Sequence, residues 1–291
     1  MGAAGNGPWD LYDELIEGVP ADVRVADYAL GLNWSYVQAE SGCGIAYTAR
    51  GGAKRTEVAD WRGRPLRDMA ALAKSWCFEE ATLGIAALNA WYGREENLRA
   101  MGAVIEGDGA SADEAAVAGE AADALAVAAA SVRGPGHIPC GCNLGGFELV
   151  RPQLEAFAAE QGRLPRVVVV GHFPHMEELA AYTDLTVLER NVRDALDTPD
   201  PACEYVLPTC DFSFITGVTL INKTAPRLLE LAAGRPLTMV GPTVVASPAL
   251  QRRGATLLAG RYAVDPDRVR FACTTGFPFG SALKNYAITQ A

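Results

Sequence analysis

Four consecutive valines, Val167 to Val170, run directly into Gly171-His-Phe-Pro-His175 and constrain this chain more than any other stretch. β-Branched side chains favour strands, and an unbroken apolar run has no face to show to water. Such a strand is buried on both sides, as in a parallel sheet covered by helices. Met176 to Tyr182 then reads as the following helix. Leu185 to Leu188 is a second strand ending in Glu189, Phe212 to Ile215 another after Asp211, and Lys223 to Leu231 a helix. Leu237 to Val240 is a further strand, and Gly241-Pro-Thr-Val-Val-Ala-Ser-Pro248 leads into a helix through Leu258. This alternation predicts an α/β fold with a Rossmann-like, doubly wound parallel sheet.

The N-terminal part reads differently. Trp9 to Gly18 carries Leu11, Leu15 and Ile16 on one face and stops before Pro20, which predicts a short amphipathic helix. Val23 to Leu30 and Ile45 to Thr48 read as antiparallel strands joined through Ser41-Gly-Cys-Gly44. Asn33-Trp-Ser-Tyr36 suits a strand edge or a pocket wall, and Glu79 to Tyr92 a largely buried helix. Ser111-Ala-Asp-Glu114 has the form of a capping box opening an alanine-rich helix to Val132, which ends at Gly134-Pro-Gly136. A loop through Asn143-Leu-Gly-Gly-Phe147 precedes a linker helix over Arg151 to Gln161. The expected organisation is a smaller α+β domain over 1–106, an insertion with a cysteine loop and linker over 107–163, and a Rossmann-like domain over 164–291.

Composition removes several function classes. A net charge of -10 argues against a nucleic-acid partner, because such binding draws on Lys and Arg against phosphate. No run reaches the roughly 18 apolar residues of a membrane span, and Met1 to Gly7 lacks the basic and apolar regions of a signal peptide, so a cytoplasmic chain is expected. Seven cysteines, an odd number spread along the chain, do not read as a disulfide framework. A small-molecule ligand is the expected partner, with no nucleic acid and no membrane, and a homo-oligomer is left open.

In a doubly wound sheet the ligand lies at the carboxyl ends of the strands. Gly171, Phe173, Glu189, Thr216, Gly217 and Gly241 fall at or beside such ends and are the candidate cofactor contacts. Gly171-His-Phe-Pro-His175 holds one glycine, which is not the dinucleotide fingerprint, and Phe173 and Pro174 stand where a pyrophosphate would approach. Glu189, 18 residues after Gly171, has the spacing of a carboxylate that accepts from a ribose, which keeps an adenosine-type ligand such as S-adenosylmethionine in view. His172 and His175 are two of only three histidines. Either they ligate a metal or transfer protons, or one caps a helix and the other packs. Cys140-Gly-Cys142 with His137 offers soft donors for a transition metal, or is a glycine-rich loop with incidental thiols. Lys74, in Lys74-Ser-Trp76, is a candidate catalytic cation or a solvated lysine beside a packed indole. For Asp211 and Lys223, flanking the Thr216-Gly217 strand end, a salt bridge is the default expectation.

Trp9-Asp-Leu-Tyr-Asp13, Lys74-Ser-Trp76, Glu80-Ala-Thr-Leu-Gly-Ile-Ala-Ala-Leu-Asn-Ala90, Val170-Gly-His-Phe-Pro-His175, Leu207-Pro-Thr-Cys-Asp211 and Val240-Gly-Pro242 together resemble the putative heavy-metal-chelation family of bacteria and archaea. The resemblance covers residues 9 to 105 and 164 to about 260. It implies an enolase-N-terminal-like domain, a Rossmann-like domain and a shared cleft. Lys74, Trp76 and Glu80 would line one side and His172, His175 and Thr216 the other. The alanine-rich helix and the cysteine loop depart from the pattern. The expected function is small-molecule binding, as an enzyme of specialised or metal-related metabolism whose interdomain cleft takes a metal, through His172, His175, Cys140 or Cys142, or a metal-chelating compound. The alternatives are an enzyme that binds S-adenosylmethionine or a related nucleotide, and a non-catalytic assembly protein.

Overall fold

The computed structural model describes residues 7–55, 59–108 and 144–290. The chain is a mixed α/β protein with a mostly parallel eight-stranded sheet and a separate three-stranded antiparallel sheet. Its first part runs α1 (Asp10–Glu17), β1 (Val25–Ala29), β2 (Trp34–Ala39), β3 (Gly42–Tyr47), α2 (Leu66–Ala70), α3 (Phe78–Tyr92), α4 (Glu95–Ala100) and β4 (Val104–Ile105). After the segment 109–143 come α5 (Leu144–Gln161), β5 (Arg166–Val170), α6 (Met176–Ala180), β6 (Asp184–Glu189), β7 (Asp197–Pro199), α7 (Cys203–Val206), β8 (Phe212–Thr216), α8 (Ala225–Leu231), β9 (Leu237–Val240), α9 (Pro248–Gln251), β10 (Leu257–Ala263), α10 (Pro266–Thr275) and β11 (Leu283–Thr289).

The large sheet has the order β4-β11-β10-β9-β8-β5-β6-β7, with β5 to β10 parallel and β11 antiparallel. Period-two alternation divides the four valines between two cores. Val167 and Val169 pack with Phe147, Val150 and Leu154 of α5, whereas Val168 and Val170 join the cluster that contains α1, α3 and α8. Each buried valine contributes on the order of 2 kcal/mol. The second cluster is continuous from Leu11 to Ile288, so the N-terminal layer and the large sheet share a core. Tyr12 Oη crosses between them, donating to the Leu220 carbonyl at 2.9 Å.

Several expected elements are corrected. Trp34–Ala39 is a full middle strand, so the turn falls at Glu40-Ser41 and Gly42 to Gly44 lie inside β3. Gly44 is needed there, because a Cβ would overlap the α3 backbone at Ala86 and Ala90. Helix α5 begins at Leu144, so Leu144 to Phe147 are helical rather than loop. The helix after Pro248 ends at Gln251. Gly254, at φ 101°, redirects the chain and Leu257–Ala263 is a strand. The alanine-rich segment and the loop with His137, Cys140 and Cys142 lie outside the described residues.

Candidate functional site

Strands β6 and β7 lie on one side of β5, and β8, β9 and β10 on the other. The chain therefore leaves β5 and β8 in opposite directions, and the loops after them diverge to form the crevice of a doubly wound sheet. Gly171 starts the first loop at φ 102°, a left-handed conformation that suits glycine. Its N–H donates to the Leu188 carbonyl at 2.8 Å. A Cβ there would stand 2.9 Å from Thr216 Cγ2, so the crevice is narrow at its floor.

His172 stands above that floor. Its backbone N–H donates to Glu189 Oε2 at 3.1 Å, and its Nδ1 lies 2.9 Å from Asp197 Oδ1. The imidazole is 42% exposed, whereas the Asp197 side chain is 0% exposed. Asp197 Oδ2 accepts from the N–H groups of Arg193 and Asp194 at 2.9 and 3.0 Å. Burial pushes this carboxyl up, but the Arg193 N–H, the His172 ring and the Asp194 N–H outweigh it and hold Asp197 below the ordinary aspartate range. An ionised carboxylate only accepts, so the neutral His172 ring carries its proton on Nδ1 and its lone pair on Nε2. Sequence reading missed Asp197. It lies 25 residues from His172, and only the pairing of β7 with β6 brings it there.

The other candidates separate into two groups. His175, at φ 64°, is half-exposed at the start of α6, its Nδ1 3.5 Å from Glu178 Oε1 and 3.9 Å from Glu177 Oε1. The two turn histidines thus have different carboxylate neighbours. Glu189 receives the His172 N–H on one oxygen and the Asn191 N–H, at 3.1 Å, on the other. Phe173 is buried edge-on to Phe147, 5.3 Å between centroids, which ties the turn to α5. On the β8 and β9 side, Thr216 Oγ1 accepts from the Val218 N–H at 3.3 Å. Gly217 is pressed against the Thr243 and Val244 backbone, and Gly241, at φ 113°, donates to the Ala259 carbonyl at 2.9 Å. Thr243 Oγ1 accepts from the Tyr47 N–H at 3.0 Å, so the N-terminal layer lies over these loops.

Lys74 pairs with Asp13 at 2.6 Å and lies 5.2 Å from the Trp9 ring centre. Trp76 is 58% exposed, and buried Glu80 accepts from Ser75 Oγ at 2.5 Å. The expected pairing of Asp211 with Lys223 is not found. Asp211 lies at the amino end of β8, held by Arg163 at 2.7 Å and Arg166 at 3.2 Å, which keep its carboxyl far below the usual range. Lys223 instead donates to the Ser75 carbonyl.

A heavy metal needs three or four convergent donors. Among the described residues no group of three His, Cys, Asp or Glu side chains is placed to hold one. Asp197 already accepts from His172 and two backbone N–H groups, and no further such side chain among the described residues converges with it and His172, so the described donor set does not fit a bare ion. No helix among the described residues is long and apolar enough to cross a membrane.

Comparison with known proteins accounts for both halves. An uncharacterized protein of Methanocaldococcus jannaschii is 26% identical over 94% of this chain and 93% of its own length. A crystal structure of a protein of unknown function from Desulfitobacterium hafniense is 27% identical with a TM-score of 0.71, covering 99% of this chain and 100% of that one. A second, from Pyrococcus horikoshii, shares the fold at 18% identity and a TM-score of 0.68, over 96% and 98% of the two chains. Two family models, both described as putative heavy-metal chelation, match residues 12–92 and 155–289. The chain belongs to the putative heavy-metal-chelation family.

Proposed function

We propose that this chain binds a small molecule at the carboxyl ends of β5 and β6, against the outward Nε2 of His172, and that His172 exchanges a proton with it. The observation that carries this reading is the His172–Asp197 pair: a buried, ionised carboxylate fixing the tautomer of an exposed imidazole at a strand end. That arrangement orients a general base. Because the described side chains do not form a metal cage, the ligand that suits the family description is a metal-chelating compound with its own donors. The test is mass spectrometry of what copurifies with wild type and with H172A, together with elemental analysis of both and of H175A. A compound retained by wild type and lost from H172A supports the reading. A compound retained equally by both overturns it. Metal content that falls in both single variants would return the turn histidines to direct ligation.

A second reading, an adenosine-type ligand, rests on Glu189 at the end of β6, where each carboxylate oxygen accepts one backbone N–H and keeps a lone pair for a ribose hydroxyl. Calorimetry with S-adenosylmethionine and adenosine decides it. Absence of binding removes this alternative.

A further inference from the structure

Lys223 combines features that neither the fold nor the histidine turn requires. It is one of two non-glycine residues with positive φ among the described residues, at 66°, and the other is His175. Strain of this kind persists only where the surroundings impose it. Here Asn222 fixes the loop, its Oδ1 accepting from Thr224 Oγ1 at 2.6 Å and from the Thr224 N–H at 3.1 Å. The amino group, partly buried, donates to the carbonyls of Ser75 and Ile221, the second at 2.8 Å. No carboxylate pairs with it among the described residues. The rings of Trp76 and Phe78 each lie 5.9 Å away, and Trp76 is more than half exposed, so one of the two rings beside the amine faces solvent.

A neutral amine has two hydrogens and one lone pair. Two carbonyl acceptors satisfy the hydrogens and leave the lone pair free, whereas an ammonium has a third proton to place. Burial accordingly pushes the Lys223 amine down to about 8, a shift opposed only by the nearby Cys77. Roughly one molecule in ten is then neutral at pH 7, compared with about one in three thousand for an unperturbed lysine.

We propose that Lys223 is a nucleophilic amine that captures a small aldehyde or ketone with a flat apolar body as an imine, between Trp76 and Phe78. The nitrogen lone pair attacks the carbonyl carbon and forms the C–N bond as the carbonyl π pair moves to oxygen. Transfer of a proton from nitrogen to that oxygen gives the carbinolamine. The nitrogen lone pair then forms the C=N π bond as hydroxide leaves, and hydroxide takes the second nitrogen proton as water while that bond's electrons become the imine lone pair, so the balance is amine plus carbonyl to imine plus water. This site is independent of the His172 reading.

The sequence makes the test clean, because the whole chain has four lysines: Lys54, Lys74, Lys223 and Lys284. The full chain is treated with benzaldehyde and cyanoborohydride between pH 6 and 9, and labelled peptides are mapped. Lys223 is expected to be trapped at least about tenfold faster than the other three, with a rate that is half-maximal near pH 8. K223R keeps a cation and donors for both carbonyls but forms no imine, so it should lose the label while keeping its circular dichroism spectrum. W76A should slow trapping of benzaldehyde more than of acetaldehyde, and H172A should trap as wild type does. Equal labelling of all four lysines, or a rate at Lys223 that rises about tenfold between pH 8 and 9 as for an ordinary lysine, overturns the proposal and leaves Lys223 as a clasp between the β8 loop and Ser75. Wild-type mapping decides this even if K223R fails to fold.

Discussion

The two halves of the carboxyl edge of the large sheet differ in what covers them. After β8 and β9, Gly217 and residues 241–247 are buried, and Thr243 reaches the N-terminal layer at Tyr47. After β5 and β6, His172, Pro174, His175 and residues 190–195 are exposed. The same crevice thus has one wall built into the shared core and one wall facing solvent. Substitutions in the first wall should read out as stability, and in the second as ligand binding.

The largest effect is expected at Gly217. A valine there must displace the Thr243 and Val244 backbone, so denaturant unfolding should show a loss of about 3 kcal/mol or no folded protein. Stability near wild type would break the comparison. Thr243→Val keeps the shape but leaves the Tyr47 N–H without its acceptor, which should cost about 1–2 kcal/mol in the same assay. In the open wall, Asp197→Asn should lower the melting temperature by a few degrees at neutral pH and abolish the single His172 tautomer, as read by 15N chemical shifts. Because Asp197 is held below the ordinary aspartate value of about 3.8, its contribution is complete above that pH and is lost as pH falls through the depressed value. The Asn variant should therefore have a flatter acid limb than wild type. The smallest effect belongs to Val192→Ala, in a position 51% exposed, which should change stability by less than about 0.5 kcal/mol.

The sequence shows what is periodic and conceals what is paired across it. Val167 to Val170 and Leu237 to Val240 are legible as strands because burial on both faces leaves no polar position to confuse them. Leu257 to Ala259 are not, because a short apolar run looks the same as helix or strand. Only the register of Leu257 to Ala259 beside Thr238 to Val240 decides it. The middle strand was masked by Ser35, a polar residue that is nonetheless buried because it bonds to Thr48 Oγ1 at 2.8 Å. The turn histidines were visible as a rare residue used twice. Asp197 was not, since an aspartate in a polar loop is unremarkable until β7 is placed beside β6. Lys223 was visible as a residue but assigned the wrong partner, because Asp211 lies at the opposite end of β8.

The margins of the eight-stranded sheet carry a further consequence. One ends in β7, three residues long and closed by Pro199, which has no N–H to offer. The other ends in β4, two residues that pair only with Tyr286 and Ala287, beyond which Glu106 accepts from both the backbone and the side-chain amide of Asn285. Among the described residues both margins of this sheet are short strands, which limits how far a neighbouring chain could extend it by pairing. A stack that grows by adding strands at these two margins is disfavoured by the way the described chain ends its own sheet.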